Sequence, residues 1–278
     1  MKTREYVCSS HTISGVMPGN PVASRHGFAE RVEACAAAGY TGMCLHFRDY
    51  AEQRARGFGD GELRAILDAH GMKHVSVEFL TDWFMDGEAG LISRRNEETA
   101  FRAAAAFGAK VINVGPDLGE RGISLETMQR KFRDLCGRAV EHGLSIALEL
   151  VAWGNVRDVD TALAIIGDIP NAGLVIDSWH VFRAGVPLAD LRRIAANRIL
   201  CVQVNDAGKV PVGQRSAETM NRSLCGQGAF DLSAFAATLD DMGVAAPFSV
   251  EVISPELAAL GRNEAAKISF DTARDCFS

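Results

Sequence analysis

Four oxygen-bearing side chains stand where the surrounding sequence is otherwise apolar. They are Glu149 in Ala147-Leu148-Glu149-Leu150, Asp177 in Val175-Ile176-Asp177, Gln203 in Val202-Gln203-Val204, and Glu251 in Val250-Glu251-Val252. A carboxylate inside such a run costs several kcal/mol unless a partner neutralises it. Three acids and one amide brought to one place would need a cation. Hard oxygen donors without thiolate or imidazole suit Mg²⁺ or Mn²⁺ better than Zn²⁺. Such a centre polarises a carbonyl and leaves carboxylates at hand for acid/base work.

Further groups cluster near these four. His180, three residues beyond Asp177, offers a general acid or base or a further ligand. Arg222 lies in Asn221-Arg222-Ser223-Leu224-Cys225-Gly226-Gln227-Gly228, a stretch suited to bringing a guanidinium over a developing oxyanion. The close Gly226 and Gly228 indicate a tight bend there. Trp153, four residues beyond Glu149, is expected to wall a substrate pocket, and Trp179 and Trp83 are weaker candidates for that role. His46 and His11 are expected to meet substrate at the ends of their strands, and Glu78 to bind its hydroxyls.

The elements that must position these groups are legible as an alternation. Short apolar runs are expected as strands at 6–12, 41–47, 74–80, 110–116, 145–151, 173–178, 199–205 and 247–253. Helical periodicity fills the gaps, for instance over 94–107 and over 125–142, where Met128, Phe132, Leu135 and Ala139 repeat at three and four residues. Gly39, Gly71, Gly108, Gly143 and Gly243 follow helical stretches and are expected as C-terminal caps. Eight such units in 278 residues are the arithmetic of a (β/α)8 barrel, an α/β fold whose active site lies at the C-terminal ends of the strands. A doubly wound sheet fits less well, because no strand-turn-helix carries a glycine fingerprint. Residues 1–278 are expected as one domain. The long connection over about 206–230 is its candidate lid.

Composition closes off other classes. The chain carries 35 acidic against 29 basic residues, net charge −6, so it lacks the basic excess of a nucleic-acid binder. Its seven cysteines are scattered without a CxxC pair, against a zinc ribbon or disulfide framework. With no apolar leader and no long uncharged apolar run, a cytoplasmic protein without membrane contact is expected.

Several of these segments resemble the xylose isomerase-like barrels, the sugar phosphate isomerase/epimerase or endonuclease IV-like superfamily. The carriers are Ala147-Leu148-Glu149, Val175-Ile176-Asp177-Ser178-Trp179-His180 with Arg183-Ala184-Gly185, Val202-Gln203-Val204-Asn205-Asp206, the Arg222 to Gly228 stretch, and Phe248-Ser249-Val250-Glu251. The resemblance implies that Glu149, Asp177, Gln203 and Glu251 hold one divalent ion and that Glu149 and Glu251 transfer protons. It implies a small polyhydroxylated carbonyl substrate and a homo-oligomer as a common arrangement. Many relatives have histidine where this chain has Gln203, which weakens transfer from the ketose epimerases. The nuclease branch needs further histidines on the third, fourth and seventh strands, and here those strand ends read Glu78-Phe79, Asn113-Val114-Gly115 and Gln203-Val204-Asn205. The leading expectation is therefore a metal-dependent isomerase or epimerase of a small sugar or keto-polyol, working through an enediolate. A dehydratase of a cyclic hydroxyketone such as dehydroshikimate or keto-inositol is the alternative lyase, and a non-catalytic sugar-binding barrel is the alternative outside enzymology.

Overall fold

A computed structural model describes residues 4–119 and 121–278. Eight parallel strands close into one barrel in sequence order: β1 (Tyr6–Ser9), β2 (Gly42–His46), β3 (His74–Leu80), β4 (Val111–Val114), β5 (Ser145–Glu149), β6 (Ala172–Asp177), β7 (Ile199–Val204) and β8 (Phe248–Val250). β1 pairs with β8 through Cys8 opposite Val250, which closes the ring and leaves no open edge. Among the described residues no helix is long and apolar enough to cross a membrane.

Strand alternation explains the division between core and site. Successive side chains point to opposite faces. Ile146, Leu148, Leu174, Ile176, Val202, Val204 and Phe248 therefore face the helices and join the main apolar core. The other set points to the barrel axis, where Ala147, Val175 and Cys201 pack as a separate small cluster. Two residues further along those same three strands stand Glu149, Asp177 and Gln203. The parity that fills the barrel with small apolar groups thus delivers oxygen-bearing side chains at its C-terminal mouth.

All eight expected strands are present, and most end earlier than the apolar run suggests. The first stops at Ser9 because the chain turns into the short helix Ser10–Ile13. There Thr12 Oγ1 donates to the Val250 carbonyl at 2.8 Å and accepts from Val252 N at 2.9 Å. The eighth stops at Val250, and beyond it the Ile253 carbonyl accepts from Arg222 N at 2.8 Å. Apolar content past these points belongs to the cavity wall rather than to the sheet. The helices span Gly87–Phe107 and Leu125–Val140, the first starting seven residues before the expected position. The five glycines expected as caps all take positive φ, from 66° at Gly143 to 114° at Gly39.

The connection over 206–230 is two structures in one. Residues 208–217 are exposed, whereas Glu218, Thr219, Arg222 and Cys225 are buried. Asp206 staples the inner part: its Oδ1 accepts from Ala207 N and Phe230 N at 2.8 and 3.0 Å, and its Oδ2 accepts from Gly226 N at 3.1 Å. A Cβ at Gly228 would lie 2.2 Å from Asp206 Oδ1, so only glycine permits this closure. Arg183 Nη2 adds a salt bridge to Glu218 Oε1 at 2.6 Å and a bond to the Gly208 carbonyl at 2.7 Å.

Candidate functional site

Glu149 and Asp177 are the last residues of β5 and β6, Gln203 is the penultimate residue of β7, and Glu251 directly follows β8. Asp177 is level with Gln203 across the β6–β7 pair. All four are buried, and Glu149, Gln203 and Glu251 line one cavity. The four sites expected from sequence therefore meet at one height of the barrel.

Arg222 joins them from the inner part of the 206–230 connection. Its Nη1 lies 2.8 Å from both Asp177 Oδ2 and Glu251 Oε2. Thr219 Oγ1 accepts from its Nε and Nη2 at 3.2 and 2.9 Å, fixing the plane of the guanidinium. Arg222 is part of the packed wall, because the Asp206 staple and the Arg183–Glu218 pair hold its segment down.

Each carboxylate has a different environment. Burial works against the charged form of Asp177, but Arg222, followed by the hydrogen bonds from the Asn205 amide and Trp179 N, outweighs it and holds the carboxyl below its ordinary range. Asn205 Nδ2 donates to Asp177 Oδ1 at 3.1 Å, and Trp179 N donates to the same oxygen at 2.6 Å, so Asp177 also caps the helix Ser178–Ala184. Glu251 is pushed up to about 7 by burial, which Arg222 opposes. Ser9 Oγ and Gln203 Nε2 reach its Oε1 at 3.0 and 3.1 Å. Glu149 is raised well above its ordinary value by burial and then by the charges of Glu251 and Asp177. Its close polar neighbour is His180, whose Nε2 lies 3.4 Å from Glu149 Oε1.

His180 is held between Trp153 and Trp179, with ring centroids at 5.1 and 5.2 Å. Its Nδ1 accepts from Ala152 N at 3.4 Å, which leaves the ring proton on Nε2, facing Glu149. Burial lowers its pKa to about 3, so the ring is neutral. Trp153 and His46 both line the cavity. His46 Nδ1 accepts from Arg48 N at 3.1 Å, and burial followed by the nearby His11 lowers its pKa to about 3.

The donor set fits a divalent cation. Glu149, Asp177 and Glu251 are buried, Arg222 is the guanidinium that contacts Asp177 and Glu251 among the described residues, and burial raises the pKa of Glu149 and Glu251. Gln203 Oε1 is buried without a hydrogen-bond partner among the described residues, a costly state that a cation would relieve. Ligand atoms of Glu149, Asp177 and His180 lie within 4.8 Å of one another.

Some contributors were not visible in the sequence. Ser9 Oγ lies between Glu251 Oε1 and Glu78 Oε1, at 3.0 and 3.2 Å. Glu78 also accepts from Ser10 N at 3.3 Å and Cys44 Sγ at 2.8 Å, and burial followed by the charge of Glu251 lifts it to about 8. Nothing local marks Ser9, because its meaning comes from barrel closure. Asn205 did carry a signal, as a second polar residue two positions beyond Gln203 and so on the same strand face.

The closed eight-stranded barrel with oxygen-bearing side chains at its C-terminal mouth defines the class, and similarity to known proteins gives the family. The family model for xylose isomerase-like TIM barrels matches residues 32–276, and the chain belongs to that family. An inosose isomerase of Bacillus velezensis is 25% identical over 250 residues, covering 87% of this chain and 89% of that protein. A 3-dehydroshikimate dehydratase of Pseudomonas aeruginosa is 29% identical over 240 residues, covering 81% of this chain but 36% of that longer protein. The crystal structure of an IolI protein with a bound zinc atom superposes with a TM-score of 0.84 at 22% identity, covering 98% of this chain and 97% of that one.

Proposed function

We propose that the protein is a divalent-metal-dependent isomerase or epimerase of a small keto-polyol. The observation that carries this is the convergence of Glu149, Asp177, Glu251 and the partnerless Gln203 Oε1 beside Arg222. The inosose isomerase relatives support it. Glu149, Asp177, Gln203 and Glu251 would hold the ion, with Mn²⁺ or Mg²⁺ suited to this oxygen set. Bound there, the ion would polarise the substrate carbonyl and acidify the adjacent C–H.

The chain's own groups divide the remaining work. With the charge of the ion keeping it ionised, Glu149, whose Oε1 has His180 as its close polar neighbour, would be the group that takes the proton. Glu251 is fixed by Arg222, Ser9 and Gln203, and it returns a proton to the opposite face or the neighbouring carbon. Arg222 stabilises the negative charge of the substrate enediolate. Trp153 and His46 wall the cavity and exclude water from that charge.

A second reading, dehydration of a cyclic hydroxyketone, is favoured by His180. Its Nε2–H faces the site and would hydrogen-bond a departing hydroxyl, which would leave as water with the proton that Glu149 took from carbon, and the dehydroshikimate dehydratase relatives act as its precedent. Both readings share the first proton transfer. Incubating the metal-loaded protein with a panel of ketoses and cyclic hydroxyketones in D2O tests it. Metal-dependent deuterium incorporation next to the carbonyl, lost in Glu149→Gln without loss of fold, is expected; an active Glu149→Gln protein would sink the assignment. A rise in ultraviolet absorbance would mark elimination instead of isomerisation.

A further inference from the structure

The cavity above the carboxylates, about 280 Å³, carries on one side hydrogen-bond donors that have nothing to meet. His46, the last residue of β2, and Arg48, in the first turn of the helix Phe47–Ala55 that follows, both line it, as does the exposed Asn20. His46 Nδ1 accepts from Arg48 N at 3.1 Å, so the proton of this neutral ring is on Nε2, which has no partner among the described residues. The head of Arg48 is fixed through Nη2, which donates to the carbonyl oxygens of Asn20, at 3.1 Å, and Pro21. Its Nε and Nη1 make no hydrogen bond among the described residues, and no carboxylate there lies within ion-pairing distance of it. Asn20 Oδ1 accepts from Val22 N at 3.1 Å, which leaves its Nδ2 as a further open donor.

Charge sets Arg48 apart from the rest of the lining. Arg222, the other guanidinium of the cavity, is held by Asp177 and Glu251 at 2.8 Å. With a divalent ion on the floor, the charges of Glu149, Asp177, Glu251 and Arg222 cancel against it. Burial suppresses the charge of Glu78, which stands at about 8, and lowers the pKa of His11, His46 and His180 so that these rings are neutral. The loaded cavity therefore keeps one positive charge, that of Arg48. A carboxylate offers acceptors only and one negative charge, which is what open N–H groups beside an unbalanced guanidinium fit.

We propose that His46 and Arg48 form a carboxylate subsite on the β2 side of the cavity, and that the substrate is a hydroxyketone acid whose carbonyl and adjacent hydroxyl meet the floor while its carboxylate meets the guanidinium. This rests on the reading of the floor as the metal centre, and it narrows keto-polyols in general to those that carry one carboxylate. Arg48 is the specificity-determining residue. Its half-buried position leaves the contact partly screened by water, so the carboxylate is worth about tenfold in affinity, the low end for a charged hydrogen bond.

Calorimetric titration of 3-hydroxy-4-oxocyclohexane-1-carboxylate and of its carboxamide into Mn²⁺-loaded protein tests this, because the two share the chelating edge and differ at the remote substituent. The carboxylate is expected to bind about tenfold tighter. In Arg48→Gln that preference should fall to about twofold or less with the carboxamide affinity unchanged, and Arg48→Lys, which keeps the charge, should retain part of it. A preference that survives in Arg48→Gln would place the carboxylate on the floor and overturn the subsite. Equal weakening of both ligands in Arg48→Gln would overturn it too, leaving Arg48 as a clamp on the chain at Asn20 and Pro21. Tighter binding of 3-hydroxy-4-oxocyclohexyl phosphate than of the carboxylate would overturn the choice of anion. Absence of a preference in the unaltered protein would overturn the inference, and Mn²⁺-dependent binding of both ligands would then leave the metal-centred reading intact. An Arg48-dependent preference that does not need Mn²⁺ would uphold the subsite and remove the metal-centred reading.

Discussion

Arg222→Met exposes the electrostatic logic of the site, because one guanidinium nitrogen serves two buried carboxylates. Nη1 lies 2.8 Å from Asp177 Oδ2 and from Glu251 Oε2, and all three side chains are at least nine-tenths buried. A hydrogen bond to a charged group contributes about 1.5–3 kcal/mol, and removing one partner of a buried ion pair costs about 3–5 kcal/mol. The two carboxylates respond together, since protonating one relieves the other, so the expected loss is about 3–5 kcal/mol rather than the sum of two separate pairs. Methionine keeps much of the side-chain volume, so the change is electrostatic rather than a cavity. The assay is urea unfolding in EDTA and again in saturating Mn²⁺. In EDTA the full loss is expected; with the ion present its charge replaces the guanidinium, and the gap to the unaltered protein should at least halve. A metal-free Arg222→Met protein within about 1 kcal/mol of the parent would refute the argument, since it would mean that the carboxylates do not depend on this cation.

Two further outcomes follow from buried charge elsewhere. In the metal-free protein Glu78 sits at about 8, against about 4.3 in an unfolded chain, so its contribution to stability is present at low pH and is lost as pH rises toward 8. The neutral His11, His46 and His180, lowered to about 4, 3 and 3, oppose this trend only below about pH 6.5, where the unfolded histidines take up protons. Stability should therefore fall between pH 6.5 and 8, and Glu78→Gln should reduce that slope in thermal melts; an unchanged slope would show that Glu78 is not the group responsible. Arg183→Met should free the 206–230 connection by leaving Glu218 buried and unpaired, with a loss of about 3–5 kcal/mol locally. Faster amide exchange over residues 206–225, with the barrel strands unchanged, is the expected reading, and uniform exchange would contradict it.

The barrel was legible because apolar runs, helical periodicity and capping glycines all report local physics, and each is repeated along the chain. The carboxylates were legible for a related reason: an acid in an apolar strand conflicts with its surroundings, and Glu149, Asp177 and Glu251 present that conflict at the same point of the fifth, sixth and eighth units. What stayed hidden depends on closure. Ser9 meets Glu251 across 242 positions of sequence and Glu78 across 69, contacts that only the finished ring creates. The packed state of Arg222 was hidden too, because it rests on Asp206 reaching to Gly226 and Phe230 and on Arg183 finding Glu218. Strand ends were overestimated where apolar residues such as Val151 and Ile253 line the cavity instead of extending the sheet.

Metal stoichiometry with matched ligand variants tests the central claim most directly. Protein purified without chelator, and metal-free protein titrated with Mn²⁺, should each show one divalent ion per chain. Asp177→Asn should abolish that binding while the far-ultraviolet circular dichroism is unchanged, and Gln203→Leu should weaken it by leaving the site one oxygen short. Absence of a bound ion in the unaltered protein, or binding that Asp177→Asn leaves untouched, would contradict a metal centre at the mouth of this barrel.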